Sequence, residues 1–343
     1  MSLPQPLQRH IPLVEDSLRD LFAGHSSPLY RLMEYQLGWR DERGEPLDAP
    51  APQPRLHAGL CLLAAHAAGG DIGKAVPVAA AVELVYQFTQ VHADIQEGSQ
   101  QRHNLPTVWW IWGPAQAINA GDGLHALARL ALLRLGDGGA APEDSLRLVQ
   151  TLDAACLHMC EGLHQELVYQ ERVDITSDAY LRMARDKVGA LLGCALELGV
   201  MAGAPSSNAA SALRQFGETL GVAFQIQEDI QMLWGQPLSG KTPGLDALNK
   251  KKGFPVVNAL EHAPIAQKRE IGTLFLKRVL EPTDLKQLTS VLDKLDARPH
   301  AQAVAQHHLE EAIGSLNGAS LTPDGRRELS QVADWLALRQ GDP

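Results

Sequence analysis

Apolar residues recur at helical spacing along most of this chain, and that periodicity constrains the fold more than any other feature of the sequence. Alternating runs typical of β-strands are nearly absent, and residues beyond about 256 form shorter amphipathic segments. The sequence therefore predicts an all-α protein. The long apolar segments cover residues 5–22, 53–68, 74–97, 112–136, 142–170, 177–203 and 207–232.

Composition indicates how these helices pack. Hydrophobic residues make up 45% of the chain but aromatic residues only 5%, so Ala, Leu and Val must build most of the core. Small and aliphatic side chains favour closely packed helices. A helical chain of 343 residues can close one large bundle. We therefore predict a single domain over residues 1–343.

The charge balance and the cysteines limit the classes of function. A net charge of −10 argues against a nucleic-acid surface, which needs clustered Lys and Arg. No segment has the uninterrupted apolar length of a membrane span, and the first residues do not resemble a signal peptide. The four cysteines show no CxxC spacing, which fits reduced thiols. We expect a cytoplasmic protein without integral membrane association.

Two acidic helix ends are the first candidates for chemistry. Asp94 and Glu97 are three residues apart and share a helix face at the end of one apolar segment. Glu228 and Asp229 close another long apolar segment. Taken singly, each pair is more typical of a solvated helix terminus. Facing each other across a bundle, they could bind Mg²⁺, which prefers carboxylate oxygens and also accepts phosphate oxygens.

The surroundings of these acidic pairs resemble the trans-isoprenyl (polyprenyl) diphosphate synthase family in order and spacing, from residue 55 to about 260. Each match alone is weak, but the ordered set is specific. The matching residues are Glu83–Tyr86, His92–Asp94, Arg102, Pro106–Val108, Ala117–Asp122, Glu161–Gly162, Glu166, Tyr180–Lys187, Gly189, Leu191, Phe224–Gln225, Gly240–Lys241, Asp246, Lys251 and Pro255.

The resemblance implies a class I isoprenoid synthase bundle around a deep apolar cavity, usually in a homodimer. An allylic prenyl diphosphate would bind through Mg²⁺, and loss of pyrophosphate would leave an allylic cation for attack by isopentenyl diphosphate. The implied metal ligands are Asp94, Glu97, Glu228, Asp229 and Asp246. The implied diphosphate ligands are Arg102, Lys187, Lys241 and Lys251. The implied catalytic residues are Lys187, Gln225 and Lys241.

The chain departs from the family pattern at both acidic motifs and at the isopentenyl diphosphate site. Ala93 and Met232 stand where the family has aspartates. The family segment Gly-Lys-x-x-Arg-Pro aligns with Gln53–Ala58, so that Pro54 replaces the lysine and His57 the arginine, while Arg55 falls at an unspecified position of this altered site. Tyr86 replaces a histidine and His103 an arginine. Neutral side chains lack the charge that binds diphosphate, and each lost contact removes about 1.5–3 kcal/mol.

These departures lead us to expect an enzyme that ionises an allylic diphosphate and then uses a non-standard acceptor or a terpene-synthase-like ending. An ordinary short-chain synthase that uses isopentenyl diphosphate and a non-catalytic subunit remain as alternatives. The resemblance also assigns Phe88 to a position where bulk shortens the cavity. We expect no zinc site, since His66, His92, His103, His125 and His158 show no ligand cluster with partner cysteines.

Overall fold

The computed structural model describes residues 3–48, 54–204 and 207–337, and it confirms the prediction of an all-α fold. Gln53, the first residue of the aligned isopentenyl segment, lies outside the described residues. The helices are α1 Gln5–Gln8, α2 Ile11–Phe22, α3 Pro28–Gln36, α4 Leu56–Ala67, α5 Ile72–Glu97, α6 Val108–Trp112, α7 Pro114–Leu133, α8 Pro142–Gln170, α9 Ser177–Ala184, α10 Ala190–Gly203, α11 Ser207–Trp234, α12 Leu245–Leu248, α13 Phe254–His262, α14 Ile265–Leu276, α15 Pro282–Lys294, α16 Ala297–Ser315 and α17 Pro323–Ala337.

The core is built from α4, α5, α10 and α11, whose buried apolar side chains are mostly Ala, Leu and Val, as the composition predicts. Gly199 of α10 allows its helix to touch α4, because a Cβ there would lie 2.0 Å from the carbonyl oxygen of Cys61. Gly193 and Gly217 let α10 and α11 approach in the same way. Such contacts exclude larger residues and bring the helix axes close together.

Helix α5 carries the first acidic pair to its C-terminal end. Asp71 caps its N-terminus by accepting a hydrogen bond of 2.9 Å from the backbone N–H of Gly73. Gly98 ends it with φ of 64°, a left-handed conformation that glycine adopts without strain. Asp94 and Glu97 thus lie in the last turn, and both are buried rather than solvated.

A short hairpin follows α5 and was not expected from the sequence. Strands β1 (Gln101–Arg102) and β2 (Leu105–Pro106) pair antiparallel through a turn in which His103 and Asn104 have φ of 51° and 63°. Two consecutive positive φ values match the twist of a two-residue hairpin. The turn directs Arg102 back toward the end of α5.

One π-helical turn, Arg185–Gly189, separates α9 from α10 within the predicted segment 177–203. It lies directly against Gly162 of α8, where a Cβ would come within 2.3 Å of the backbone nitrogen of Lys187. The glycine of the Glu161–Gly162 match therefore makes room for the backbone that carries Lys187. Along the described residues, no helix combines the length and apolar character that a bilayer crossing requires.

Candidate active site

A cavity of about 140 Å³ opens between the C-terminal part of α5, helices α8, α10 and α11, and the loop that follows α11. Its wall is partly apolar, with Met159, Leu163, Leu191 and Phe224. The structure brings most of the predicted site residues to this one cavity. They are His57, Tyr86, Glu97, Arg102, Lys187, Gln225, Glu228, Asp229, Lys241 and Asp246.

Glu97 is the centre of a buried ionic network. Its Oε1 accepts hydrogen bonds of 2.8 Å from both Lys241 and Lys251. Lys241 also lies 3.3 Å from Asp246, so that one ammonium bridges the α5 motif and the loop. Burial alone would raise the pKa of Glu97, but the two lysines hold it well below its usual value. Glu97 is therefore ionised at neutral pH.

Glu166 of α8 extends this network to the π-helical turn. Its two oxygens accept hydrogen bonds from Lys187 at 2.5 Å and Lys251 at 2.7 Å. Although burial opposes ionisation, these lysines lower the pKa of Glu166 to about 2. The sequence match placed Glu166 in a family motif but did not assign it to the site. No local spacing could show that two lysines from distant elements share one carboxylate.

Arg102 is buried and bonded to the first acidic residue. Its Nε and Nη2 donate to Asp94 Oδ1 at 3.0 and 2.6 Å, and Nη1 donates to the carbonyl of Ser239 at 2.7 Å. Burial raises the pKa of Asp94, and the guanidinium opposes that rise. These hydrogen bonds turn the Asp94 carboxylate toward Arg102. Glu97, in contrast, is among the residues that line the cavity.

Asp229 is held by three donors from different elements. Tyr180 of α9 donates its hydroxyl to Oδ2, the backbone N–H of Phe254 donates to the same oxygen at 2.7 Å, and Gln225 donates to Oδ1 at 2.8 Å. Burial raises the pKa of Asp229 to about 6, although these hydrogen bonds favour its ionised form. Tyr180 was part of a quoted match but carried no predicted role.

Glu228 anchors the loop that follows α11. Its oxygens accept the backbone N–H groups of Leu238 at 2.8 Å and Ser239 at 2.9 Å. The carbonyl of Gly240 accepts a hydrogen bond of 2.9 Å from the backbone N–H of His103, which joins the loop to the hairpin. The loop therefore covers the end of the cavity and positions Lys241 there.

The isopentenyl half of the predicted site is largely neutral. Arg55 is 1% exposed and does not line the cavity, because it pairs with Glu15 at 2.6 Å and Glu83 at 3.6 Å inside the core. His57 stacks on Tyr86 with ring centroids 4.2 Å apart. Burial lowers the pKa of His57 to about 3, so it is neutral. Arg55 thus has a structural position rather than a substrate-facing one.

A second, smaller pocket adjoins the cavity and shares Pro54, Tyr86 and Arg102 with it. His103 lines this pocket, and burial lowers its pKa. Among the described residues that line the pocket, Arg102 is the one permanent cation. This arrangement agrees with the replacement of basic residues at positions 54, 57 and 103 of the sequence.

Phe88 does not lie in the wall of the described cavity, contrary to the position inferred from the resemblance. Its ring stacks on His125 of α7 with centroids 4.5 Å apart and meets His92 edge-on at 5.0 Å. The neighbouring Thr89 faces the cavity instead. Consecutive residues on a helix point in different directions, so the one-residue difference turns the side chain from the cavity to α7.

Comparison with known proteins assigns the family. Residues 54–292 match the polyprenyl synthetase family. The chain is 36% identical over 299 residues to geranylgeranyl diphosphate synthase of Mycobacterium tuberculosis, covering 87% of this chain and 84% of that protein. It is 32% identical over 291 residues to a short chain isoprenyl diphosphate synthase of Methanothermobacter thermautotrophicus, covering 83% and 86%.

Solved structures agree with the sequence comparisons. A polyprenyl synthetase from Streptomyces coelicolor superimposes with a TM-score of 0.87 at 30% identity, covering 98% of this chain and 99% of that one. The match spans the cavity, both acidic helix ends and the loop that carries Lys241. The chain therefore belongs to the polyprenyl synthetase family, whose members are metal-dependent prenyltransferases of isoprenoid biosynthesis.

Proposed function

We propose that this protein is a short-chain trans-prenyl diphosphate synthase, which joins an allylic prenyl diphosphate to isopentenyl diphosphate with Mg²⁺. One observation carries the proposal: Lys187, Lys241 and Arg102 reach the same partly apolar cavity as the carboxylates of α5 and α11. Cations and carboxylates together suit a metal-bound diphosphate, and the apolar wall suits a prenyl chain. The names of the relatives favour this ordinary reaction over the terpene-synthase-like ending.

The donor set fits Mg²⁺, because Glu97, Asp229 and Asp246 offer oxygens to one cavity. In the network described above, Lys241 neutralises two of these carboxylates, Glu97 and Asp246. Bound Mg²⁺ would supply positive charge to the leaving diphosphate. Lys241 and Lys251 would then exchange their carboxylate partners for diphosphate oxygens. We therefore expect metal and diphosphate to bind cooperatively. The diphosphate would screen Mg²⁺ from the lysines, and Mg²⁺ would screen the diphosphate from the carboxylates.

Different residues of the cavity would carry different parts of the ionisation step. Arg102, Lys187 and Lys241 would bind diphosphate oxygens and stabilise the negative charge that develops as the C–O bond breaks. Gln225 holds Asp229 in place through the 2.8 Å hydrogen bond. The apolar residues of the wall would keep water away from the cation.

A non-standard acceptor remains a second candidate, and the neutral second pocket favours it. His57 is neutral and Arg55 is paired inside the core, so isopentenyl diphosphate would find Arg102 as the main cation near its diphosphate. We expect weak binding of isopentenyl diphosphate if the ordinary reaction occurs. A non-catalytic subunit is the third candidate, and the preserved lysine set argues against it.

We also propose a homodimer formed through α7 and α8. Ile118, Leu130 and Leu133 of α7 are nearly half exposed, and Leu146 and Leu157 of α8 are more than half exposed. Adjacent helices with several exposed large aliphatic side chains are typical of a protein interface. A single domain over residues 1–343 and a cytoplasmic location complete the proposal.

Product analysis tests the function. The purified protein is incubated with Mg²⁺ and geranyl, farnesyl or geranylgeranyl diphosphate, each with and without isopentenyl diphosphate. Longer prenyl diphosphates are expected, with a high KM for isopentenyl diphosphate. Hydrocarbons or alcohols without isopentenyl diphosphate would support the terpene-synthase-like ending. No turnover, together with retained Mg²⁺-dependent binding of the allylic diphosphate, would support another acceptor, and loss of that binding would support a non-catalytic subunit.

A further inference from the structure

Helices α7 and α8 bring together three side chains that can bind a metal ion, at a place outside the cavity lined by Glu97 and Asp229. One ligand atom each from His125, Asp153 and Cys156 lies within 4.8 Å of the other two. Asp153 and Cys156 follow His125 by 28 and 31 positions in the sequence, so no local motif revealed the cluster. The expectation that the histidines form no cluster with cysteines is therefore wrong for His125.

One buried polar atom of this cluster, Nε2 of His125, lacks a hydrogen-bond partner among the described residues. Oδ1 of Asp153 accepts no hydrogen bond there but lies 2.9 Å from Nε of Arg129. A buried polar atom without a partner costs about 1–3 kcal/mol, so such an atom calls for an unseen ligand, a water or an ion. The partnerless imidazole nitrogen lies beside a buried thiol and the Asp153 carboxylate, so the three groups are placed to share one ligand.

The chemistry of the three side chains selects the ion. Imidazole nitrogen, carboxylate oxygen and thiolate sulfur together suit Zn²⁺, whereas Mg²⁺ prefers oxygen ligands alone. Zinc bonds of about 2.0–2.3 Å in a tetrahedron separate ligand atoms by about 3.3–3.8 Å. The ligand atoms of the cluster lie within 4.8 Å of one another, so small side-chain rotations would bring them to tetrahedral distances.

We propose that His125, Asp153 and Cys156 bind a zinc-type divalent ion between α7 and α8. Water would complete the tetrahedron, and Cys156 would release its thiol proton to solvent as the sulfur–metal bond forms. Without metal, burial raises the pKa of Cys156 to about 12, so the thiol stays protonated. The ion would fix α8 to α7 beside Phe88, whose ring stacks on His125.

Arg129 opposes metal binding and provides a test of the charge argument. Its Nε donates to Asp153 Oδ2 at 3.0 Å and lies 2.9 Å from Oδ1. The side chain is 34% exposed, so it can turn toward solvent when an ion enters. Removing its charge should favour the ion, because two cations next to one carboxylate repel each other.

Cobalt binding to the full-length protein tests the site. The chelator-treated protein is titrated with Co²⁺ in excess Mg²⁺, which occupies oxygen-only sites, and absorbance from thiolate-to-cobalt charge transfer is recorded. We expect this band at one Co²⁺ per chain and its reversal by Zn²⁺. Cys156→Ser should abolish the band, whereas Cys160→Ser, which changes an exposed cysteine one helical turn away, should retain it.

Two further variants keep the test decisive if Cys156→Ser folds poorly. Asp153→Asn should keep the band but weaken Co²⁺ binding at least about tenfold, since it loses a charged ligand. Arg129→Gln should strengthen binding severalfold. Absence of the band in the unmodified protein would overturn the proposal. So would persistence of the band in Cys156→Ser, or unchanged affinity in both other variants.

Discussion

The ammonium of Lys241 lies 2.8 Å from Oε1 of Glu97, which joins the loop after α11 to the last turn of α5. Lys251 donates to the same oxygen from the far end of that loop. Lys251 is buried and Lys241 is partly buried, and although burial opposes it their carboxylate neighbours raise the pKa of each. The loop is therefore held over the cavity by ion pairs that, in the proposed function, a metal-bound diphosphate would replace.

Lys241→Gln should lower kcat/KM by about 10²–10³-fold, because it removes a charge that stabilises the leaving diphosphate. Lys250→Gln is the matched control, since Lys250 lies in the same loop but does not line the cavity. Steady-state assays at saturating Mg²⁺ measure both variants. Equal activity of the two would remove Lys241 from the proposed site.

Tyr180→Phe should shift the acid limb of the pH profile to higher pH. Burial raises the pKa of Asp229 to about 6, and the proposed role of Asp229 as a Mg²⁺ ligand requires its ionised form, so activity should rise as pH passes that value. The Tyr180 hydroxyl bonds the ionised form, and its loss should raise the pKa by about 1 unit.

The measurement is kcat/KM at subsaturating Mg²⁺ between pH 5 and 8. Tyr169→Phe serves as the control, because Tyr169 also packs against the cluster that contains Tyr180, and among the described residues it is Tyr180 whose hydroxyl donates to Asp229. An unchanged acid limb in Tyr180→Phe would show that Asp229 does not control metal binding.

The sequence predicted the bundle and the residues of the cavity because both follow from patterns that extend along the chain. Helical periodicity marks the buried faces, and the ordered motifs bring Lys187, Lys241 and Asp229 to one place. The sequence did not predict which of these side chains pair with each other. That Lys251 is shared between Glu97 and Glu166 depends on how distant elements meet, which spacing along one helix does not encode.

The same limit explains the errors. Arg55 looked like part of a diphosphate site, but two acidic residues far away in sequence pair with it in the core. Phe88 and Thr89 are neighbours in sequence, and only the rotation of α5 decides which one faces the cavity. The cluster around His125 escaped notice for the same reason, since its three side chains come from two helices.

Arg55→Met should destabilise the fold rather than change substrate affinity. Glu83 is fully buried, and removal of its guanidinium partner leaves a buried carboxylate without its counter-charge, at a cost of about 3–5 kcal/mol. Urea unfolding measures the loss, with Arg147→Met on the exposed surface of α8 as the control. A stability near that of the control would contradict the structural role.

Leu130→Glu combined with Leu133→Glu should convert the proposed dimer to monomer, since two charges would then face the partner's apolar surface. Leu276→Glu is the control, because Leu276 of α14 is 79% exposed and lies outside α7 and α8. Analytical ultracentrifugation gives the mass of each. A dimeric double variant would place the interface elsewhere.

His57→Arg should improve use of isopentenyl diphosphate. His57 lines the cavity and is neutral at all physiological pH values, so an arginine there would add a charge-assisted contact to the second diphosphate. Such a contact contributes about 1.5–3 kcal/mol, and we expect the KM for isopentenyl diphosphate to fall by about tenfold or more. The KM for the allylic substrate should not change.

His57→Gln isolates the effect of charge in the same position, because it replaces one neutral polar side chain with another. Its KM for isopentenyl diphosphate should stay within about twofold of the unmodified enzyme, since a surviving neutral contact changes little free energy. If arginine and glutamine gave the same KM, position 57 would not face the second diphosphate. The neutral pocket would then favour an acceptor without a diphosphate, because such an acceptor needs no cation at position 57.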